Sequence, residues 1–345
     1  MPHRWAMEDM LLAKRQAHDS DPRGIFITGT DTGVGKTLVT SALVLCLTQR
    51  GIAVGVMKPI ETGVSRSAKA QSDGARLQRA AGCHDPLAEV CPYVFRLPVA
   101  PLSAARAEGR TVRVATIIRA FRALRQKHDL MAVEGVGGVY VPITSSLNLS
   151  DLIYRMKLPA IVVGQSGLGG INHALLTLHA LRRRKIPIVA LVLSQRRPVL
   201  TKTARVQERS TVSLLRRLAG VPVVGPLPYS PGANRNWNEG LVRLAGTAPI
   251  TKLARLVLAH IIHEGSSAPH PIPPHTMGRV REGTRDGHSE ARGLAPPSDF
   301  GEIPSTGSGP ELVEGSRAAA VPVPLLRRGQ APRRRVPVPS SKSKG

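Results

Sequence analysis

Short apolar runs alternate along this chain with longer stretches in which apolar residues recur at helical spacing. Apolar runs of about four to eight residues are typical of strands, and the helical spacing is typical of amphipathic helices. The pattern predicts strands at 24–28, 53–57, 130–134, 159–164, 187–193 and 222–227. It predicts helices at 36–50, 72–81, 112–127, 169–184, 203–219 and 238–263.

The predicted strands are rich in valine and isoleucine and do not alternate regularly with polar residues. Strands of this kind are buried on both faces, as in a parallel sheet that helices cover on each side. The order of strands and helices therefore predicts a doubly wound α/β domain with a mainly parallel sheet. Ligands of such domains bind outside the carboxyl ends of the strands, so the residues that follow each strand are candidates for a site.

Composition divides the chain into three parts. Residues 1–23 form a charged N-terminal extension, residues 24–264 hold all the predicted strands and helices, and residues 265–345 are rich in proline and arginine. A segment with so few large apolar residues cannot offset the chain entropy that folding removes. The composition predicts one folded domain at 24–264, followed by a disordered tail at 265–345.

The formal net charge of +25 would favour contact with nucleic acid or with anionic membranes. The aromatic content is only 3%, however, and arginine is spread along the chain instead of being gathered with aromatic residues in one stripe. Proteins that bind single strands of nucleic acid commonly use such stripes. Nucleic-acid binding is therefore not favoured.

Cysteine usage and the lack of long apolar segments bear on the compartment. The 3 cysteines, Cys46, Cys83 and Cys91, lack the paired spacing of a zinc site and are odd in number, which disfavours a disulfide framework. No apolar run reaches the roughly 18 residues of a membrane-spanning helix. Residues 1–23 lack the apolar core of a signal peptide. These features predict a cytoplasmic protein without a membrane partner.

The stretch GTDTGVGKT, residues 29–37, lies between the first predicted strand and the first predicted helix. It contains Gly33 and ends in Gly35, Lys36 and Thr37, as a phosphate-binding loop does. Backbone N–H groups at a helix N-terminus bind phosphate oxygens, and glycines allow the backbone to come close. Lys36 would contact the β- and γ-phosphates, and Thr37 would place its hydroxyl on Mg²⁺. The loop predicts a fold of the P-loop NTPase type.

Two positions make this loop unusual. Thr30 replaces the glycine expected five residues before Gly35. Aligned on Lys36, the loop resembles the variant loop of partition ATPases and metallocofactor-maturation ATPases, but Asp31 stands where those proteins carry a signature lysine. That lysine serves nucleotide-dependent dimer switching, so its absence argues against a partition motor.

Charged residues also follow other predicted elements. Lys58 comes directly after the strand that ends at Met57 and would point to the same sheet edge as Lys36. Two lysines near one triphosphate favour phosphoryl transfer, with a solvated surface lysine as the alternative. Glu134 ends another buried strand, where an ionised carboxylate needs a cation such as Mg²⁺, unless it is a loop carboxylate. Asp73 either caps a helix or supplies a second metal ligand.

Several longer motifs occur in a specific order: GTDTGVGKT, MKPIETG, QSD, LPVAPLSAARAEG, VEGVGGVYVPI, VVGQSGLGGINHALLTLHAL and VVGPLPYS. In this order they resemble the dethiobiotin synthetase family of biotin biosynthesis, over about residues 24–230. The resemblance implies ATP-dependent closure of the ureido ring of dethiobiotin from 7,8-diaminopelargonate and CO₂, through a carbamate and its mixed phosphoric anhydride. It also implies ATP and Mg²⁺ as cofactors and a homodimer as the assembly.

The resemblance assigns roles to residues by position. The implied catalytic residues are Lys36 and Lys58, and the implied substrate-binding residues are Thr62 and Asn172. The implied Mg²⁺ ligands are Thr37, Asp73 and Glu134. The implied nucleotide-binding residues are Gly33, Val34, Gly35, Lys36, Thr37, Leu38, Asp73, Glu134, Gly135, Gly137, Ser194, Pro228, Tyr229 and Ser230. Asn172 would act from the neighbouring subunit, with a helix cap as its alternative role.

One position departs from the family pattern. Ser194 follows the predicted strand 187–193, where the family usually has an asparagine that reads adenine. A hydroxyl cannot make the paired contacts of an amide, so the sequence leaves the choice of base undetermined. Two other functions compete with ring closure: a partition-type ATPase switch that binds DNA or membrane, and a related ATP-dependent ligase of cofactor synthesis.

Overall fold

The computed structural model describes residues 23–230 and 236–264 of the chain. Its strands are β1 (Gly24–Gly29), β2 (Val54–Met57), β3 (Ile60–Thr62), β4 (Tyr93–Phe95), β5 (Leu130–Gly138), β6 (Ala160–Gln165), β7 (Ile188–Ser194) and β8 (Val223–Leu227). The N-terminal extension before Arg23 and the predicted disordered tail lie outside the described residues.

The α-helices of the described ranges are α1 (Lys36–Thr48), α2 (Asp73–Ala81), α3 (Leu87–Val90), α4 (Pro101–Ala107), α5 (Val114–Arg125), α6 (Leu149–Met156), α7 (Gly170–Arg183), α8 (Lys202–Leu218), α9 (Trp237–Ala245) and α10 (Ala248–Glu264). A 3₁₀ helix precedes α2 at Arg66–Gln71. Among these helices, none combines the length and the apolarity that a bilayer span requires.

The main sheet has the strand order β2-β5-β1-β6-β7-β8, and all its paired strands are parallel. This confirms the predicted doubly wound α/β architecture. The first strand in the chain lies near the middle of the sheet, so the loop that follows it reaches the centre of the carboxyl edge. Ligands of such sheets bind at this edge.

Alternate residues of the central strands contribute to two separate apolar layers. Phe26 and Val133 face one layer, which α5, α6, α7 and α8 cover. Ile25 and Ile27 face the other layer, which α1, α2, α9 and α10 cover. Because both faces are buried, the strands carry no regular pattern of polar residues.

The predicted elements match the structure closely, with three differences. The strand predicted at 130–134 continues to Gly138, so Glu134 lies inside β5 and not at its end. The helix predicted at 238–263 is two helices, α9 and α10, which are separated by Gly246 and Thr247. The short elements β3, β4, α3 and α4 have no predicted counterpart, because they hold too few residues for a repeating apolar pattern. Helix α6 was also not predicted, although its buried residues Leu149, Leu152, Ile153 and Met156 recur at helical spacing.

Candidate active site

The phosphate loop follows β1 directly, and α1 begins at Lys36. Gly33 and Gly35 have φ angles of 67° and 98°, a region that side-chain-bearing residues rarely occupy. Gly35 is the N-cap of α1 and provides no side-chain hydrogen bond. No side chain caps the first N–H groups of α1, so these groups are available to bind an anion.

A cleft of about 530 Å³ lies over this loop, at the carboxyl edge of the sheet. The lining residues come from the loop, from Lys58 after β2, from β3, from the start of α2, from β5, from the end of β7 and the segment after it, from the segment after β8, and from the start of α9. They are Thr32, Gly33, Val34, Gly35, Lys36, Thr37, Leu38, Lys58, Glu61, Thr62, Asp73, Arg76, Val136, Gly137, Ser194, Gln195, Arg196, Tyr229, Ser230 and Trp237. The two lysines predicted from sequence therefore line one cleft.

Lys58 is buried between two carboxylates. Its Nζ lies 2.6 Å from Glu134 Oε1 and 3.0 Å from Asp73 Oδ2. The first contact follows from strand register. Met57 pairs with Val133, so Lys58 and Glu134, the residues that follow them, lie side by side. Lys58 is 3% exposed and Glu134 is fully buried, which excludes a surface lysine and a loop carboxylate.

The electrostatics of this cluster favour the charged forms of Lys58 and Asp73. Burial by itself would lower the pKa of Lys58, but the charges of Glu134 and Asp73 outweigh it and raise the pKa above its usual value. Burial by itself would raise the pKa of Asp73, but the charge of Lys58 and its hydrogen bond lower it overall. Removal of either partner from a buried ion pair of this kind destabilises the folded protein.

The predicted metal ligands meet around Glu134. Thr37 Oγ1 donates to Glu134 Oε1 at 2.8 Å, and the same oxygen accepts from Lys58. Glu134 Oε2 is buried and has no hydrogen-bond partner among the described residues. An orphaned carboxylate oxygen is costly, and hydroxyl and carboxylate oxygens are the ligands that Mg²⁺ prefers. The donor set therefore fits Mg²⁺, with Oε2 as the oxygen left for it.

Lys36 lies in a different environment from Lys58. Its Nζ donates to the backbone oxygen of Asp31 at 2.7 Å and has no carboxylate within ion-pair distance among the described residues. Burial, followed by the positive charge of Lys58, lowers the pKa of Lys36 to about 8. A phosphate group would supply the negative charge that Lys36 lacks.

Not every predicted residue lines the cleft. Glu134 and Gly135 are absent from the lining, but the backbone oxygen of Gly135 lies 3.4 Å from Lys58 Nζ. Pro228 is also absent from the lining, but the next residue, Tyr229, is part of it. Asn172 lies in the first turn of α7, is exposed, and is not its cap, because the N-cap is Gly169. The alternative role of Asn172 as a helix cap was therefore wrong.

One of the two alternatives for Asp73, the helix cap, is excluded by the structure. The N-cap of α2 is Ser72, whose Oγ accepts from the N–H of Ala75 at 3.2 Å. Asp73 is the first helical residue, and its carboxylate points to Lys58. Asp73 is therefore not the cap, and its side chain belongs to the charged cluster.

Sequence reasoning missed seven residues of the cleft, namely Thr32, Glu61, Arg76, Val136, Gln195, Arg196 and Trp237. Glu61 and Arg76 had a signal, because they lie next to predicted site residues in the motif MKPIETG and in the first turn of α2. Trp237 had none. Its ring lies 4.6 Å from the guanidinium carbon of Arg76, a contact between segments far apart in the chain.

Gln195 is the first residue after β7, and all its amide atoms are engaged. Its Nε2 donates to both carboxylate oxygens of Glu208, at 2.9 and 3.0 Å. Its Oε1 accepts from the backbone N–H of Tyr229 at 2.9 Å. The neighbouring Ser194 hydroxyl lies against the phosphate loop, 3.1 Å from the position that a side-chain carbon on Gly35 would take.

The fold and the phosphate loop place the chain in the class of P-loop nucleotide-binding proteins, and the family model described as AAA domain matches residues 23–236. Within that class, the chain belongs to the ATP-dependent dethiobiotin synthetase family. The BioD synthetase of Anaeromyxobacter dehalogenans (strain 2CP-C) is 47% identical over 176 residues, which are 51% of this chain and 78% of that protein. The BioD synthetase of Thermodesulfovibrio yellowstonii is 40% identical over 222 residues, which are 62% of this chain and 91% of that protein. The family predicted from the motifs is confirmed.

Proposed function

We propose that this protein is an ATP-dependent cyclo-ligase that converts 7,8-diaminopelargonate and CO₂ to dethiobiotin, with release of ADP and phosphate. One observation carries the proposal: Lys58 is held by Glu134 and Asp73 in the same cleft as the phosphate loop. Identities of 40% to 47% to proteins named dethiobiotin synthetase support the substrate and the product.

The chemistry requires positioning and charge neutralisation. One substrate amine attacks CO₂ and loses a proton, which gives a carbamate. A carbamate oxygen attacks the γ-phosphorus of ATP, and ADP leaves. The second amine then attacks the carbonyl carbon, loses a proton and expels phosphate, which closes the ring. Negative charge spreads over the transferring group, so fixed cations beside it stabilise the transition state.

The chain offers two ammonium groups for these steps. Lys36 lies in the phosphate loop, where it would contact the β- and γ-phosphates. Lys58 is fixed by Glu134 and Asp73 and would face the transferring phosphoryl group or the carbamate. Thr37, Asp73 and Glu134 would hold Mg²⁺, which neutralises phosphate charge when it is bound with the nucleotide.

We also propose a homodimer in which Asn172 contributes to the substrate site of the neighbouring subunit. Asn172 is exposed and does not line the cleft of its own chain. Leu168 and Leu176, close to Asn172 in sequence, are 79% and 60% exposed, so a partner subunit would cover apolar side chains beside Asn172.

Neither competing function is favoured. A partition-type switch would need the signature lysine at the position of Asp31, which this chain lacks. The similar proteins reported above are synthetases. A different ATP-dependent ligase of cofactor synthesis would share the phosphate loop but act on another acceptor. Product analysis therefore separates these functions.

The first prediction concerns the product. Purified protein incubated with 7,8-diaminopelargonate, bicarbonate and MgATP should form dethiobiotin and ADP in equal amounts, as measured by mass spectrometry. Omission of the diamine should leave only background ATP hydrolysis. ATP hydrolysis without dethiobiotin, at a rate that the diamine does not change, would contradict the proposed reaction.

The second prediction concerns the nucleotide base. Because Glu208 and Tyr229 engage the whole amide of Gln195, no free amide at this position reads the base. A site without paired donors and acceptors discriminates weakly, so we expect kcat/KM for ATP and GTP to differ by less than about tenfold. The variant Glu208→Ala, which releases the Gln195 amide, should change this ratio, whereas the double variant Glu208→Ala/Gln195→Ala should restore it. A wild-type preference for ATP above about a hundredfold would show that another group reads adenine.

A further inference from the structure

Glu61 is a buried carboxylate of the cleft that has no assigned role. It lies in β3, between Lys58 and Thr62 along the chain, and is 6% exposed. It does not touch Lys58 in an ion pair; its two oxygens instead face the N-terminus of α2. Direct pairing with the charge of Lys58 therefore does not explain why a carboxylate is buried at this position.

The carboxylate of Glu61 binds two successive backbone N–H groups. Oε1 accepts from Asp73 at 2.6 Å, and Oε2 accepts from Gly74 at 3.1 Å. Ser72 accepts from the next N–H group, that of Ala75. The first three N–H groups of α2 thus each have a side-chain acceptor, which fixes the direction of its first turn.

This first turn carries Asp73, one of the two carboxylates that hold Lys58. A single residue is therefore fixed at both ends, because its N–H group is bound by Glu61 and its Oδ2 lies 3.0 Å from Lys58 Nζ. A shift of the turn would move the Asp73 carboxylate and would release one side of the Lys58 ammonium. The backbone of Lys58 is also anchored nearby, since its N–H group donates to Val90 at 2.8 Å.

The choice of a carboxylate is informative because it is unfavourable in other respects. Burial, and after it the negative charge of Asp73, raises the pKa of Glu61, so both effects disfavour a carboxylate at this position, and the two backbone N–H groups oppose them. A helix can be capped by Ser72 alone without a second acid beside Asp73. Two acceptor oxygens on one planar group, however, match two adjacent N–H groups, and an amide offers only one such oxygen.

We propose that Glu61 is a positioning residue, which holds the first turn of α2 so that Asp73 keeps Lys58 directed beside the phosphate loop. This inference rests on the role proposed for Lys58 in the reaction. Glu61 acts through Asp73 and does not need to contact the substrate.

The variant Glu61→Gln tests the inference, with Ser72→Ala as the matched control. The glutamine keeps the volume but places an NH₂ group against one of the two N–H groups, so the turn must shift. We expect kcat for dethiobiotin formation to fall by about 10- to 100-fold, which is the scale of a small misplacement of catalytic groups. The Kd for ATP measured without Mg²⁺ should change by less than about threefold, because the phosphate loop is unaltered.

Ser72→Ala removes a cap from the same helix but leaves the N–H of Asp73 bound to Glu61. It should lower the melting temperature and leave kcat within about threefold of wild type. Equal effects of Glu61→Gln and Ser72→Ala on kcat would overturn the inference, because simple capping would then explain both.

A further variant covers the case in which Glu61→Gln does not fold. Glu61→Asp keeps the charge but shortens the reach to the two N–H groups, and it should lower kcat by more than about threefold. Wild-type kcat in Glu61→Asp overturns the positioning role. If Lys58→Met keeps wild-type turnover, the proposed function of the cluster fails; if Lys58→Met is inactive while Glu61→Gln has wild-type kcat, only the positioning role fails.

Discussion

Replacement of Lys58 by methionine should lower the turnover number by about 10³-fold and also destabilise the folded protein. The loss of turnover follows from removal of a fixed charge that faces the transferring group. The loss of stability follows from burial, because Glu134 is fully buried and its carboxylate would lose its ion-pair partner. Breaking a buried pair in this way costs about 3 to 5 kcal/mol. Steady-state kinetics and urea unfolding measure the two effects separately.

The double variant Lys58→Met/Glu134→Gln separates chemistry from folding. It removes both charges, so it should regain most of the lost free energy of unfolding while turnover stays low. Lys252→Met, at an exposed position of α10, is the control and should match wild type in both measurements. Wild-type turnover in Lys58→Met would remove this residue from the mechanism.

Replacement of Lys36 by methionine should lower turnover by about 10²- to 10³-fold, but with the opposite effect on stability. Lys36 is 7% exposed and makes no ion pair among the described residues, and its pKa is lowered from 10.5 to about 8. The ligand-free protein therefore bears the cost of a buried charge at neutral pH. Removing that charge should raise the free energy of unfolding by up to about 3 kcal/mol.

The dependence of this difference on pH tests its cause. Below pH 8 the lysine is charged in the folded and the unfolded protein, so the full cost is present. Between about pH 8 and 10.5 the folded protein releases the proton while the unfolded chain keeps it, so wild-type stability rises with pH relative to the variant. Above pH 10.5 the difference should disappear. Urea unfolding at pH 7 and pH 10 measures the free energy of unfolding of both proteins. Calorimetric titration measures the affinity of both proteins for ATP. A variant that is less stable than wild type at pH 7 would contradict the electrostatic explanation.

The contrast between the two lysines marks the limit of sequence reasoning. Both lie near the carboxyl end of a predicted strand, and sequence predicted that both would converge on one ligand. It gave no reason to expect that one is paired with two carboxylates and the other is not. That difference arises from strand register and from the packing of α2, which local patterns do not encode.

Local patterns were sufficient for the strands of the main sheet, the long helices and the phosphate loop. Strand burial on two faces leaves continuous apolar runs, and the phosphate loop needs its glycines for backbone reasons that act within a few residues. The three-residue strands β3 and β4 were missed, because each is stabilised by pairing with the other and not by its own composition. Glu61 was missed although it lies in the motif MKPIETG, because its partners are backbone N–H groups, which no residue type marks.

The sequence by itself determined that the chain forms a parallel α/β sheet with a nucleotide-binding loop at its carboxyl edge. These features depend on residue type and spacing, which act over short distances. Only the tertiary structure decided that Met57 pairs with Val133, that Asp73 reaches Lys58, and that Glu61 holds the turn on which Asp73 lies. These contacts join segments distant in the chain, and their energies depend on burial and on ångström-scale distances that exist only after the chain has folded.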